Sequence, residues 1–452
     1  MRRHAVITEI GNGKPKVAIT EDVQVQTRLP VLNDNLPAEK RVTHERLFKE
    51  LERLGIQPPE VAMDLLILAV TVFAADTRIN RMADSQDGWT REIDVYVPVS
   101  DQSLWDMQHH LLQDMLRFLT GDIWRFFFQS RPKKAKILVP EKRHPLPYET
   151  DTICLFSGGL DSFIGAIDLL ESGVRPILLG HYKSADVASP QGACAQYLQE
   201  QYKAERPEYI GAYIKVPKKL FGGEEEKTER GRSFLFLSLG AMCAAALGDG
   251  AQLIVPENGL ISLNVPLTPL RLGAPSTRTT HPYFTAKFQE LMDNLALGVH
   301  FENPYQFRTK GEMLKDCKNQ EVLRGFAHET MSCAHPSAGR WVGNRTQHCG
   351  HCVPCIIRRA AFKAAYGKDA TQYGTALHKR PLNTEASEGE HIQAFKVALA
   401  RLNKNPEIAN FLIYKPGPLP GDRKLISRFA DLYQRGMAEV SALLAKVSTA
   451  RS

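Results

Sequence analysis

From residue 151 onward the sequence alternates between short apolar runs and stretches of helix length, a rhythm that limits the fold more than any other feature. The apolar runs are Thr152–Phe156, Pro176–Tyr182, Tyr209–Val216, Gln252–Pro256 and Gly298–Phe301. Between them lie Ser162–Ser172, Gln191–Ala204, Arg230–Gly248 and Pro282–Leu297. Strands and helices in this alternation predict a five-stranded parallel sheet with helices on both faces. Right-handed crossovers make it a doubly wound α/β domain, with ligands at the carboxyl ends of the strands. Thr309-Lys310-Gly311-Glu312 then reads as a capping box opening the last helix of that layer.

A chain of 452 residues is long for one core. Residues 1–150 keep a different rhythm: strand-like Ala5–Glu9, Glu92–Pro98 and Ala135–Val139, a helix near Thr43–Leu54, and an amphipathic helix from Leu104 to about Leu119. They are expected to form a separate appended α/β module, with the doubly wound domain over 151–375. Residues 376–452 place Pro381, Pro406, Pro416, Pro418 and Pro420 around helical stretches at Gly389–Leu402 and Leu425–Val447. That pattern predicts a helical extension packed on the core or on a partner.

Composition narrows the class. A content of 43% hydrophobic and 24% charged residues is that of a folded soluble protein. The net charge of +7 suits an anionic ligand but is too dispersed to indicate a nucleic-acid binder, although nucleic acid stays possible. The basic stretches Lys133–Lys136 and Lys142–His144 read as a solvated linker. Two arginines near Met1 are followed by no apolar core, so no signal peptide is expected. Leu65–Ala75 is too short to cross a bilayer and fits a buried helix. No membrane association is expected, and eight cysteines without a disulfide framework fit the cytoplasm.

Between the first strand and its helix lies Ser157-Gly158-Gly159-Leu160-Asp161-Ser162. Glycines at such a turn let backbone approach an anion closely. The loop N–H groups and the positive helix end can then hold pyrophosphate, with hydroxyl bonds from Ser157 and Ser162. Asp161 can hold Mg²⁺ or orient the loop. Further on, Gly231-Arg232-Ser233 opens the third helix, where Arg232 can reach phosphate or a carboxylate, and Lys310 starts the helix after the fifth strand. For each of these two cations the plainer alternative is a solvated helix start.

Four cysteines are scattered (Cys154, Cys194, Cys243, Cys317) and four are clustered. Cys349, Cys352 and Cys355 form a Cys-x₂-Cys-x₂-Cys run, with Cys333 sixteen residues upstream. Four thiolates at that spacing can complete a closed, structural tetrahedral zinc site. His348 and His351 are substitute ligands, and an iron–sulfur cluster is the chemical alternative. Arg340, Arg345, Arg358 and Arg359 flank the cluster and can offset its charge.

The loop resembles that of PP-loop ATP pyrophosphatases, which include GMP synthetases, tRNA-modifying ligases and deazapurine-modifying enzymes. With Gly231-Arg232-Ser233, Lys310-Gly311-Glu312, and Ser332-Cys333 through Cys355 followed by Arg358, residues 151–365 resemble the QueC family of 7-cyano-7-deazaguanine synthases. The resemblance implies adenylation of a 7-carboxy-7-deazaguanine, amination to the amide, then a second adenylation and dehydration to the nitrile. The chain departs from that family in its N-terminal 150 residues, its long C-terminus and its longer first cysteine gap. It departs also at Glu257-Asn258-Gly259 and the loop Arg271–His281.

The long form, with Phe118-Leu119-Thr120-Gly121-Asp122-Ile123-Trp124, looks like the QueC-like proteins of antiviral operons, the QatC proteins of the Qat defence system. That branch implies operon partners: an ATPase, a small companion protein and a TatD-like nuclease. By analogy it also implies attachment of a deazaguanine to a protein N-terminus. The expected site has ATP and Mg²⁺ on Ser157–Ser162 with Ser233, and catalytic Asp161, Arg232 and Lys310. Glu257, Asn258, Arg278 and His281 are expected near the substrate, and zinc on Cys333, Cys349, Cys352 and Cys355. The alternatives are a small-molecule nitrile synthase, a tRNA modifier, or a nucleotide-binding scaffold without turnover.

Overall fold

The computed structural model describes residues 2–450 apart from 86, 133–137, 139–144, 147, 183–184, 223, 227, 268–277 and 336–346. The first strands are β1 (Arg3–Ile10), β2 (Val25–Val31), β3 (Glu92–Val99) and β4 (Ile123–Ser130), parallel throughout in the order β2-β1-β3-β4. Helices α1 (Glu45–Arg53), α2 (Glu60–Arg78) and α3 (His109–Thr120) lie between them. β2 and β4 were not among the expected strands. The expected strand Ala135–Val139 and both basic stretches lie almost wholly outside the described residues. The single helix expected from Leu104 to Leu119 is broken at Met107–Gln108, and Asp101 caps a short first segment that stops at Asp106.

Sixteen consecutive residues of α2, Ala62 to Thr77, are buried. A helix apolar all round needs cover on every side. It finds it between β3 and the second-half helix Arg232–Ala245. The apolar core therefore runs unbroken from Val6 and Leu68 to Phe234 and Leu253, across the position-150 boundary.

In the second half, strands β5 (Thr152–Leu155), β6 (Ile177–Tyr182), β7 (Glu208–Tyr213), β8 (Ala251–Ile254) and β9 (Val299–Glu302) form a parallel sheet in the order β7-β6-β5-β8-β9. Helices α4 (Leu160–Glu171), α5 (Ala185–Gln201), α6 (Arg232–Ala245), α7 (Gly259–Leu263), α8 (Pro282–Asn294) and α9 (Lys310–Asp316) follow the strands in turn. Side chains alternate across β5: Ile153 and Leu155 join α6 and α8 in one core, and Cys154 joins α4 and α5 in the other. The chain leaves β5 toward β6 and later returns to β8 on its other flank. That reversal opens a crevice between the ends of β5 and β8, the expected place for a ligand.

Beyond the sheet, α10 (Val353–Tyr366) follows the cysteines, and α11 (Ser387–Lys404) and α12 (Arg423–Leu444) form the extension. Phe429, Leu432 and Val440 of α12 share a core with Leu260, Leu263 and Ile356, so the extension packs on this chain. Among the described residues no helix is long and apolar enough to cross a membrane.

A buried ion cluster joins the halves. Arg91, wholly buried, donates to Asp76 Oδ1 at 2.8 Å and Asp122 Oδ2 at 2.6 Å. Arg81 reaches the same two carboxylates at 3.2 and 2.6 Å, and the other Asp76 oxygen accepts the Gly231 N–H at 2.7 Å. Burial alone would raise the Asp122 pKa, but Arg91 and Arg81 outweigh it and hold the carboxyl below its usual range. Its stabilising contribution is therefore complete above the unfolded value of about 4 and is lost as pH falls through the lower folded one. Asp122→Ala leaves two buried guanidiniums with half their counter-charge and should cost roughly 3–5 kcal/mol in denaturant unfolding.

Candidate functional site

Ser157, Gly158 and Gly159 carry the chain from β5 into α4. Gly158 has φ +72°, and a Cβ there would lie 2.9 Å from the backbone of Gln191 in α5. Glycine is required both by the backbone conformation and by that approach. Ser157 Oγ lies 3.2 Å from Ser162 Oγ and accepts the Gly159 N–H at 3.3 Å, while Ser162 Oγ donates to the Gly159 carbonyl. A distant segment closes over this turn: Met331 N donates to Gly158 O at 2.8 Å, and Leu160 N donates to Ser332 Oγ at 3.3 Å. Hydroxyls of Ser157, Ser162 and Ser332 thus surround the N-terminus of α4, where the helix dipole favours an anion.

Asp161, on the first turn of α4, is 5% exposed and pairs with Lys310 Nζ at 2.6 Å. Its second oxygen accepts Asn258 N at 3.1 Å and Nδ2 at 2.7 Å. Asn258 follows β8 and caps α7, its Oδ1 accepting from Ile261 N. Lys310 follows β9 and opens α9. The ends of β5, β8 and β9 therefore converge on one carboxylate. Burial pushes the Asp161 pKa up, but Lys310 and Asn258 outweigh it and hold the group ionised. At neighbouring Glu257, burial and the Asp161 charge raise the carboxyl to about 8 against the pull of Lys310. One carboxylate and one carboxylic acid thus stand side by side at neutral pH, a division of acid and base character found at reacting centres.

Helix α12 holds the Lys310 turn. The capping box expected at Thr309 forms, with Thr309 Oγ1 accepting from Glu312 N and Glu312 from Thr309 N. Glu439 binds the Thr309 hydroxyl and accepts from Gly311 N, and Arg435 pairs with Glu312.

The other expected residues are arranged differently. Arg232 opens α6, and its guanidinium makes no hydrogen bond or ion pair among the described residues; burial alone lowers its pKa. Ser233 Oγ meets Thr279 Oγ1 at 2.7 Å. Arg278 and His281 turn to the N-terminal half instead. Arg278 donates to Phe118 O at 2.6 Å and stacks on that ring, and His281 packs against the ring while its Nδ1 caps α8. Burial, then the Arg278 charge, pushes His281 down to about 3, so its ring is neutral. Residues 271–277 of that loop lie outside the described residues.

Cys333, Cys349, Cys352 and Cys355 bring their sulfurs within 4.8 Å of one another. The pairs Cys333–Cys352 and Cys349–Cys355 are each 3.9 Å apart. A tetrahedral ion about 2.3 Å from each sulfur sets them about 3.8 Å apart, so the cluster fits one ion. His348 Nε2 instead accepts from Ser332 N, and His351 Nδ1 meets Thr375 Oγ1. Arg359 donates to the carbonyls of Gly350 and Thr375, whereas Arg340 and Arg345 lie outside the described residues. Arg358 turns away from the sulfurs toward Ala327, Thr330, Ser332 and Thr371. Spacing along the chain gave no sign of the grips made by Ser332, Glu439 and Asp76.

A glycine-rich turn at the switch point of a five-stranded parallel sheet, with a four-cysteine cluster further along the chain, defines a PP-loop type of α/β domain. The family described as "Queuosine biosynthesis protein QueC" matches residues 278–366, which hold the Lys310 turn and the cysteines, and the chain is QueC-like there. It is 28% identical to a 7-cyano-7-deazaguanine synthase of Paracoccus denitrificans over 248 residues, covering 50% of this chain and 94% of that protein. With a 7-cyano-7-deazaguanine synthase of Syntrophobacter fumaroxidans it shares 25% over 244 residues, 49% of this chain and 95% of the relative. These likenesses support an enzyme that uses ATP.

The sulfur geometry generates a test. One equivalent of tetrahedral metal should copurify, and Cys352→Ser should lower both metal content and melting temperature, because a structural site adds binding energy to folding. Elemental analysis and calorimetry read the two effects.

Proposed function

We propose that this protein activates the carboxylate of a 7-carboxy-7-deazaguanine with ATP and joins it to an amine as an amide. The observation that carries the reading is the buried Asp161–Lys310 pair, closed by Asn258, under a serine- and glycine-rich loop at the switch point. Similarity to 7-cyano-7-deazaguanine synthases supplies the substrate class.

In this reading the triphosphate lies on Ser157–Ser162, with Ser233 at its edge, and the ionised Asp161 would hold Mg²⁺ there or orient the loop. A substrate carboxylate oxygen attacks the α-phosphorus, the bond to the bridging oxygen of the β-phosphate breaks, and pyrophosphate leaves. An amine nitrogen then attacks the acyl carbon, loses a proton, and AMP departs. Lys310 and Arg232 offset the charge gathering on the phosphates. Arg232 suits this role because its guanidinium is half-buried without an ion-pair partner among the described residues. Glu257 and Asn258, after β8, stand on the proposed substrate side, while Arg278 and His281, held by Phe118, brace it from the N-terminal half. Zinc on the four cysteines is structural and takes no part in the steps.

The amine is proposed to be the N-terminus of a small companion protein, within a defence operon that also supplies an ATPase and a TatD-like nuclease. The second reading is nitrile synthesis from ammonia, favoured by the similarity to 7-cyano-7-deazaguanine synthases. The two differ in stoichiometry. Conjugation gives one AMP per amide and a deazaguanine adduct on the companion in intact-mass spectra. Nitrile synthesis consumes two ATP per product and is indifferent to partners; efficient nitrile formation would overturn the conjugation reading.

The loop itself is tested separately. Asp161→Ala strands Lys310 in a buried site and should destabilise the fold, so Asp161→Asn and Ser157→Ala are the cleaner variants. Each should slow ATP conversion to AMP and pyrophosphate about a hundredfold or more while unfolding stays cooperative. Turnover near the unmodified rate in both variants sinks the assignment.

A further inference from the structure

Ser332 lies 170 residues from the phosphate loop in sequence, beside a cysteine of the metal cluster, and yet its hydroxyl sits at the loop's mouth. Its Oγ is 3.3 Å from Leu160 N and 3.8 Å from the point where a Cβ on Gly159 would stand. Arg358 Nη1 donates to the same oxygen at 3.3 Å. A serine hydroxyl has two lone pairs and one hydrogen. Leu160 and Arg358 take both lone pairs, so the hydrogen must point away from both donors. It has no acceptor among the described residues. The side chain is half-buried, so an incoming ligand can reach it.

Arg358 makes this arrangement more than a helix cap. It is wholly buried, and its hydrogen bonds go only to neutral acceptors: Ala327 O, Thr330 Oγ1, Thr371 Oγ1 and Ser332 Oγ. No carboxylate pairs with it among the described residues, and its Nε lacks a hydrogen-bond partner. A buried guanidinium without counter-charge is strongly disfavoured. An anion on the loop would lie one hydroxyl away from it, beyond Ser332. His348 fixes the segment by accepting Ser332 N at 3.2 Å.

We infer that Ser332, polarised and oriented by Arg358, donates its hydroxyl hydrogen to a phosphate oxygen of the bound nucleotide, making it a binding residue of the phosphate cradle. The inference rests on the ATP reading above and adds a ligand from outside the loop motif. Arg358 acts through Ser332 and is a positioning residue.

The test measures calorimetric binding of ATP and of inorganic pyrophosphate, together with metal content and thermal unfolding. Ser332→Ala should weaken both ligands about tenfold, with metal content unchanged, and Ser332→Thr should restore most of the affinity. A folded, metal-loaded Ser332→Ala protein that binds pyrophosphate like the unmodified chain overturns the inference. So does an Ala variant that Thr fails to rescue, because the effect then lies in packing rather than in the hydroxyl. If the unmodified protein binds neither ligand, the ATP reading itself has failed, and that result is told apart by the first titration.

Discussion

A charge taken out of water must be answered close by, and the Asp161–Lys310 pair imposes that condition on the second half of the chain. The two groups come from opposite ends of the sheet's connectivity, one after the central strand and one after an edge strand. Asn258 supplies two further donors from the strand between them. Losing any one of the three leaves a buried polar group without its partner. The crevice between β5 and β8 is therefore a set of strand ends locked together.

That requirement gives the two extensions a common logic. Lys310 can meet Asp161 only if its turn is held, and Glu439 and Arg435 of the C-terminal helix hold it. On the other flank, Asp76 of α2 grips the Gly231 N–H, one residue before Arg232. Arg278 reaches back to the carboxyl end of α3, where the helix dipole welcomes a cation. Each extension thus fixes a helix start that carries a basic side chain, and the shared core under α2 keeps those grips rigid.

The second sheet was legible because its inner strands β5, β6 and β8 are buried on both faces and read as apolar runs. The missed strands, β2 and β4, are the edges of the first sheet. β2 carries exposed Gln26 and Arg28 and contains Pro30, which blurs an apolar signal. β4 buries only every second residue, Trp124, Phe126 and Phe128. The phosphate loop and the cysteines announced themselves through local spacing. Partners such as Lys310 for Asp161, or Ser332 for Leu160, are brought together only by tertiary folding and leave no periodic trace. Arg358 shows the difference: its position beside the cysteines suggested charge compensation there, while its hydrogen bonds run toward the phosphate loop.

The segment from Thr330 to Cys333, which closes over Gly158 and Leu160, also sets a timetable. On the ribosome β5, the glycine turn and α4 are made long before Ser332, the cysteines, or the helix that steadies Lys310. A nascent chain can assemble its first sheet early, since domains tend to fold as they emerge. Helix α2 nevertheless stays uncovered on one side until α6 arrives, and the loop lacks its closing segment until after residue 333. The proposed nucleotide site is thus among the last parts to be completed, and a chain stopped before Ser332 lacks the segment that closes over its glycine turn.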